Sequence, residues 1–182
     1  MREQKSANLL LFNQSGRFAY LAELQRKIGS ANVVMDEKLL RWSHSEKVYY
    51  QGTIYARHIN PDRSIGGMVA QDAVINPLAV VSAGAIVHSR VEIGSVSEIC
   101  MGVIIYSEAH IGRHVKIMNN SIIGFGTKIH DGAFLGPNVS VANGVIIGAY
   151  ANLGAYTSVH RGAIVKDGEL VGQNSLIMGL RQ

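Results

Sequence analysis

The stretch SIIGFGTKIHDGAFLGPNVSVANGVIIGAYANLGAYTSV, residues 121–159, places an aliphatic residue at every sixth position: Ile123, Ile129, Leu135, Val141, Ile147, Leu153 and Val159. The same step continues in both directions, from Val69 to Ile177, and all nineteen positions are isoleucine, leucine or valine. A helix buries residues three and four apart and a single strand buries every second one, so neither gives a period of six. Short strands joined by regular corners do, if the chain is wound into stacked coils. Two positions earlier the side chain is mostly small, as at Ala79, Ala85, Ser97, Ser121, Thr127 and Ala151. Glycine often follows the aliphatic residue, as at Gly112, Gly124 and Gly136, where lack of a Cβ permits unusual dihedrals or close approach.

The chain has 182 residues, of which 47% are apolar and 16% charged, a balance that suits a folded protein and excludes a disordered one. No run approaches the roughly 20 apolar residues of a membrane-spanning helix, and the start lacks the apolar core of a secretion signal. With the single Cys100 excluding an internal disulfide, a cytoplasmic location without a membrane span is expected. The net charge of +4 comes from scattered lysines and arginines, which argues against nucleic acid as a partner.

Residues before the repeat follow other rules. Leu9 to Phe12 is an apolar run, Asn13 to Gly16 a polar turn, and Phe18, Leu21, Leu24 and Ile28 share one helical face. KVYYQGTIYARHI reads as one or two further strands, and Asn60-Pro61 marks a boundary. The expected division is a small α/β subdomain over 1–60 and stacked coils over 61–182.

These hexads resemble the hexapeptide repeat of the left-handed parallel β-helix, three hexads to a coil, which implies a mainly β fold of about six coils over residues 61–182. Most proteins of that kind are trimeric acyltransferases. The order of segments and the central IGRHVKIMNNSIIGFGTKIHDGAFLGPNVSVANGVIIG, with Pro137 and Gly144, are closest to the sugar acetyltransferases of sialic acid and bacillosamine pathways. The resemblance implies acetyl transfer from acetyl-CoA or another acyl-CoA to a sugar amine or hydroxyl. The acceptor could be a nucleotide sugar, the assembly a homotrimer, and no cofactor is held permanently. In that family a histidine takes the acceptor's proton. Carried across by register, its position is Phe125, between Gly124 and Gly126, which makes Phe125 a substrate-pocket residue and leaves the base to be found elsewhere.

Stacking every eighteen residues puts Glu92, His110 and Lys128 in one column, with Glu108 two residues from His110. A histidine flanked by carboxylates is held in one tautomer and raised in basicity, so His110 with Glu108 is the candidate catalytic pair. The alternative is a solvated or subunit-facing charged column. His88 and His160 share another column with Tyr106, which reads as surface or interface rather than catalysis. The resemblance also implies coenzyme contacts at Asn143, Gly144, Arg161, Gly162 and Lys166. No metal is expected, because His110 and His114 are four apart and out of register for a shared ion. A catalytically inactive trimer with a structural or partner-binding role is the second reading, supported by the missing histidine.

Overall fold

A computed structural model of the protein describes residues 47–50 and 52–179. They lie in one compact unit, residues 44–182. The apolar run, turn and helix expected before residue 47 fall outside the described residues. Within them β1 (Val48–Tyr50) and β2 (Thr53–Ile59) form the antiparallel hairpin that KVYYQGTIYARHI predicts. Strand β2 then pairs antiparallel with β3 (Ile65–Ala70), the first strand of the repeat. The hairpin thereby extends one sheet of the β-helix rather than standing apart from it.

From Val74 onward the chain alternates two-residue strands with four-residue corners, and each strand pairs in parallel with the one eighteen residues on. Three sheets result. We call face A the nine-stranded sheet that includes β3, Ile86–Val87, Ile104–Ile105, Ile122–Ile123, Ser140–Val141 and Ser158–Val159. Face B has six strands and carries Glu92–Ile93, His110–Ile111 and Lys128–Ile129; face C has six and carries Glu98–Ile99 and Lys116–Ile117. The fold is a left-handed β-helix of about six coils, all β among the described residues.

Period six arises because each hexad aliphatic points inward. From Val81 to Val165 these residues are buried and stack coil on coil as one continuous core. Such a core needs closing only at its ends. The small residues two positions earlier fill the inner corners. Ser97 and Ser121 are fully buried there and each satisfies its hydroxyl twice over. Ser97 Oγ donates to the Gly112 carbonyl at 2.8 Å and accepts the Val115 N–H at 3.0 Å, and Ser121 repeats this with Gly136 and Val139. Buried hydroxyls are tolerated only with such partners.

The corner separates two demands on glycine that the sequence alone merges. Gly124, just after its strand, is a close approach: a Cβ there would lie 2.5 Å from the carbonyl carbon of Ala142. Gly126, two residues later, has φ +63°. That second turn position is left-handed at other corners too, occupied by Asn120, Asn138 and even Val96 (φ 59°). The first turn residue of a corner can be tied to the next coil by an acidic or amide side chain. Arg113 N–H donates to Asp131 Oδ1 at 2.8 Å, Phe125 N–H to Asn143 Oδ1 at 2.9 Å, and Ala149 N–H to Asp167 Oδ1 at 2.8 Å.

Candidate functional site

On face B the outward column runs Val74, Glu92, His110, Lys128, Ile146 and Ile164, with Glu92, His110 and Lys128 adjacent as predicted. His110 Nδ1 lies 3.0 Å from Glu92 Oε2, and both side chains are exposed. Glu108 is not at His110. Its carboxylate is held by Arg90, whose Nε and Nη2 donate to Oε1 at 3.1 and 2.5 Å from one coil away. The structure therefore brings His110 together with Glu92 and takes Glu108 into a separate ion pair.

A groove of about 360 Å³ runs beside the Glu92–His110 pair, lined also by Val74, Asn76, Arg113 and Asp131. Its strand-side floor has no side chains at Gly94 and Gly112, where the packing of the next coil forbids a Cβ. Arg113 closes the far side, its Nε and Nη2 both donating to Asp131 Oδ2 at 3.1 and 3.0 Å. Hydrogen bonds from the Arg113 backbone and guanidinium hold the Asp131 carboxyl below the usual carboxylate range. When Nδ1–H of His110 is donated to Glu92, Nε2 is left as the free acceptor and can take a proton from a group in the groove.

The other predicted residues gather at a different corner. Register from Ile123 to Val141 to Val159 stacks Phe125, Asn143 and Arg161 in one column between faces A and B, with Gly144 and Gly162 beside the last two. Gly144 N–H donates to the Phe125 carbonyl at 2.9 Å. Phe125 is 46% exposed, so its ring is presented to solvent rather than packed in the core. Lys166 follows strand Ile164–Val165 on face B and is not part of this corner. His110 opens the face B strand just after Ser107, the residue one coil from Phe125, whereas the groove lies toward the next corner, at Gly112 and Arg113. Asn143 has a role that sequence reasoning missed, since its Oδ1 caps the Phe125 N–H, leaving only Nδ2 for a ligand. The eighteen-residue step from Phe125 to Asn143 is the signal that points to it.

Cys100 is part-buried and burial pushes its thiol pKa up, which makes it a packed residue rather than a nucleophile. Among the described residues no three His, Cys, Asp or Glu side chains cluster as metal ligands, and no helix is long and apolar enough to cross a membrane.

The family model described as bacterial transferase hexapeptide, six repeats, matches residues 126–161. Among solved structures the chain is similar to PerB from Caulobacter crescentus, in complex with CoA and GDP-perosamine. That likeness has 20% identity and a TM-score of 0.55, over 61% of this chain and 53% of that one. It is also similar to the acetyltransferase domain of PglB from Neisseria gonorrhoeae, in complex with acetyl coenzyme A, at 20% identity and TM-score 0.52, over 59% and 54%. The chain thus spans about half the length of each. No curated protein matches the sequence. The chain carries the hexapeptide repeat over residues 126–161 and folds as a left-handed β-helix, similar in fold to PerB and to the acetyltransferase domain of PglB.

Proposed function

We propose that this protein is an acyl-CoA-dependent acyltransferase that moves an acetyl group to an amine or hydroxyl of a sugar, with His110 as general base and Glu92 as the residue that orients it. The observation that carries this reading is the 3.0 Å contact between His110 Nδ1 and Glu92 Oε2 at the edge of a groove. Histidine with a fixed tautomer and a free Nε2 is the arrangement that general-base catalysis requires. The acceptor's nitrogen or oxygen attacks the thioester carbonyl, its proton passes to His110 Nε2, the new C–N or C–O bond forms, and the C–S bond breaks. The proton then returns to the departing thiolate. Glu108, two residues before His110, is held in a separate ion pair with Arg90.

Asn143 through Nδ2, the Gly144 and Gly162 backbone and the Arg161 guanidinium form the coenzyme contacts in this reading, and Lys166 supplies a further cation at the last coil. Arg161 is exposed and has no ion pair among the described residues, which suits a phosphate. A homotrimer is part of the proposal. Face A presents Ile86 and Ile122 as exposed apolar residues, the kind of surface that subunit contact removes from water. An α/β subdomain ahead of the β-helix is kept as part of the same reading, ending before the hairpin because β1 and β2 belong to a β-helix sheet, as is a nucleotide sugar as the acceptor. The test is thioester turnover with acetyl-CoA and an amino sugar, compared between the native protein and His110→Gln.

One observation favours the inactive alternative. Oδ1 of Asn143 does at Phe125 what Asp131 does at Arg113 and Asp167 at Ala149, so part of the proposed coenzyme corner is explained by coil geometry alone. A protein that neither turns over nor binds acetyl-CoA supports that alternative.

A further inference from the structure

The polar atoms that line the groove beside Glu92 and His110 divide into those already bonded and those left over, and the remainder defines a ligand. Asp131 is fully occupied. Its Oδ1 accepts the Arg113 N–H and its Oδ2 accepts both Nε and Nη2 of the same residue, so carboxylate and guanidinium neutralise each other. Nη1 of Arg113 has no partner among the described residues, and the fork on Asp131 fixes its position. Glu92 uses only Oε2, on His110, which leaves Oε1 without a hydrogen bond. Asn76 commits Oδ1 to the Leu78 N–H at 3.0 Å, so Nδ2 is its free donor.

Shape narrows the choice. Gly94 and Gly112 give a floor of bare backbone, and the exposed Val74 side chain adds an apolar edge. The volume of about 360 Å³ is at the low end of the roughly 300–1,000 Å³ of small-molecule sites, which suits a single sugar ring rather than a whole nucleotide sugar. A C–H face of such a ring lies on the glycine floor, while its hydroxyls accept from Asn76 Nδ2 and Arg113 Nη1. With Arg113 neutralised by Asp131 and with His110 neutral, Glu92 leaves the lining net negative. Lys128, next in the His110 column, does not line the groove. The local sign thus opposes that of the whole chain, whose net charge is +4.

We infer that this groove is a subsite for one sugar ring that is neutral or carries an ammonium group, and that it rejects rings bearing a phosphate or carboxylate. Glu92 selects the charge, and Asn76 and Arg113 donate to the hydroxyls. Rejection is electrostatic, since an anion here meets the Glu92 carboxylate with no unpaired cation in the lining. The diphosphate and base of a nucleotide sugar therefore lie outside the groove. The class of ligand stands on the groove itself; its use as the acyl acceptor rests on the acyltransferase reading.

NMR titration of the full chain at low salt and about pH 7 tests this with glucosamine, glucose and glucose 6-phosphate, which share a ring and differ in charge. Glucosamine should bind about two- to fivefold tighter than glucose, the usual effect of an exposed ion pair, and glucose 6-phosphate at least about threefold weaker than glucose. Non-specific attraction to a positive chain would give the opposite order. Glu92→Gln should erase the difference between glucosamine and glucose, and Glu92→Lys should reverse the order of all three. Asn76→Asp keeps the acceptor for the Leu78 N–H but removes the donor, and should weaken glucose about fivefold. Glucose 6-phosphate binding as tightly as glucosamine, no binding of any ring, or a glucosamine preference that survives in Glu92→Gln overturns the proposal. Ring binding without thiol release from acetyl-CoA removes the acyltransferase reading alone, and thiol release with glucose 6-phosphate as the preferred acceptor removes the charge selection alone.

Discussion

Phe125 and Asn143 stand at equivalent positions of adjacent coils, and the backbone N–H of the first donates to Oδ1 of the second at 2.9 Å. This bond fixes which way the amide faces, since its oxygen is committed inward and Nδ2 points away from Phe125. The structural and ligand-binding roles of Asn143 can therefore be separated. Asn143→Asp keeps an acceptor for the Phe125 N–H but removes the donor and adds a negative charge. It should leave the melting temperature within a degree or two and weaken acetyl-CoA binding about tenfold by calorimetry. Asn143→Ala should lose about 1 kcal/mol of stability as well, the usual net worth of a hydrogen bond. Tight binding retained by the aspartate variant would remove Asn143 from the coenzyme site.

Val96 occupies the left-handed turn position with φ 59°. A β-branched residue there carries about 1–2 kcal/mol of strain. Val96→Gly relieves it, offset in part by the greater freedom of glycine in the unfolded chain. We expect a net gain of about 0.5–1 kcal/mol in denaturant unfolding, and Gly126→Val, the reverse change at an equivalent corner, should lose about 1–2 kcal/mol. A destabilised Val96→Gly protein would mean that the valine side chain has contacts that outweigh its backbone.

Two histidines tie stability to pH. Burial lowers the pKa of His88, and burial also lowers that of His58, against a smaller opposing effect from a backbone hydrogen bond with Ala79. Both are thus harder to protonate folded than unfolded. Their contribution is present above the unfolded value of about 6.5 and is lost as pH falls through the lower folded values. The melting temperature should drop between pH 7.5 and 5.5, and His88→Phe, which keeps a ring over Tyr106 but does not titrate, should reduce that slope. The Asp131 contribution follows only below about pH 4, where its carboxyl protonates in the unfolded chain. A flat profile from 7.5 to 5.5 would contradict the histidine assignment.

How much of this was legible in advance depended on which interactions obey the repeat. The hexad step specifies the coils, and its multiple of eighteen sets Glu92, His110 and Lys128 in one column, as the strand register has them. The same arithmetic sets Arg90 one coil from Glu108 and Phe125 one coil from Asn143, so both pairings were within reach. Proximity in sequence instead pairs Glu108 with His110. Around a corner, though, a neighbour two residues away can face a different side, while a residue eighteen away faces the same one. The Tyr55 contact to His88 was less accessible, since Tyr55 lies in the hairpin, where no repeat relates it to the coils.

Phe125→His restores the residue type that the family resemblance implies at this corner. Because the ring is 46% exposed and lies outside the core, the change should shift the melting temperature little. Activity is another matter. The flanking residues are Gly124 and Gly126, so no adjacent carboxylate would orient the new imidazole. Transfer to an amino sugar should fall or stay level. A tenfold or greater gain would show that the corner still works around a histidine and that Phe125 contributes nothing of its own.

The central claim is that His110, oriented by Glu92, is the base of an acyl transfer. Thiol release from acetyl-CoA in the presence of an amino sugar tests it most directly, measured for the native protein, Glu92→Gln and His110→Gln. The account predicts turnover by the native protein, a loss of about 10²–10⁴-fold in kcat for His110→Gln, and a smaller loss for Glu92→Gln. Native rates in His110→Gln, or no thiol release by the native protein at any acceptor concentration, would contradict it.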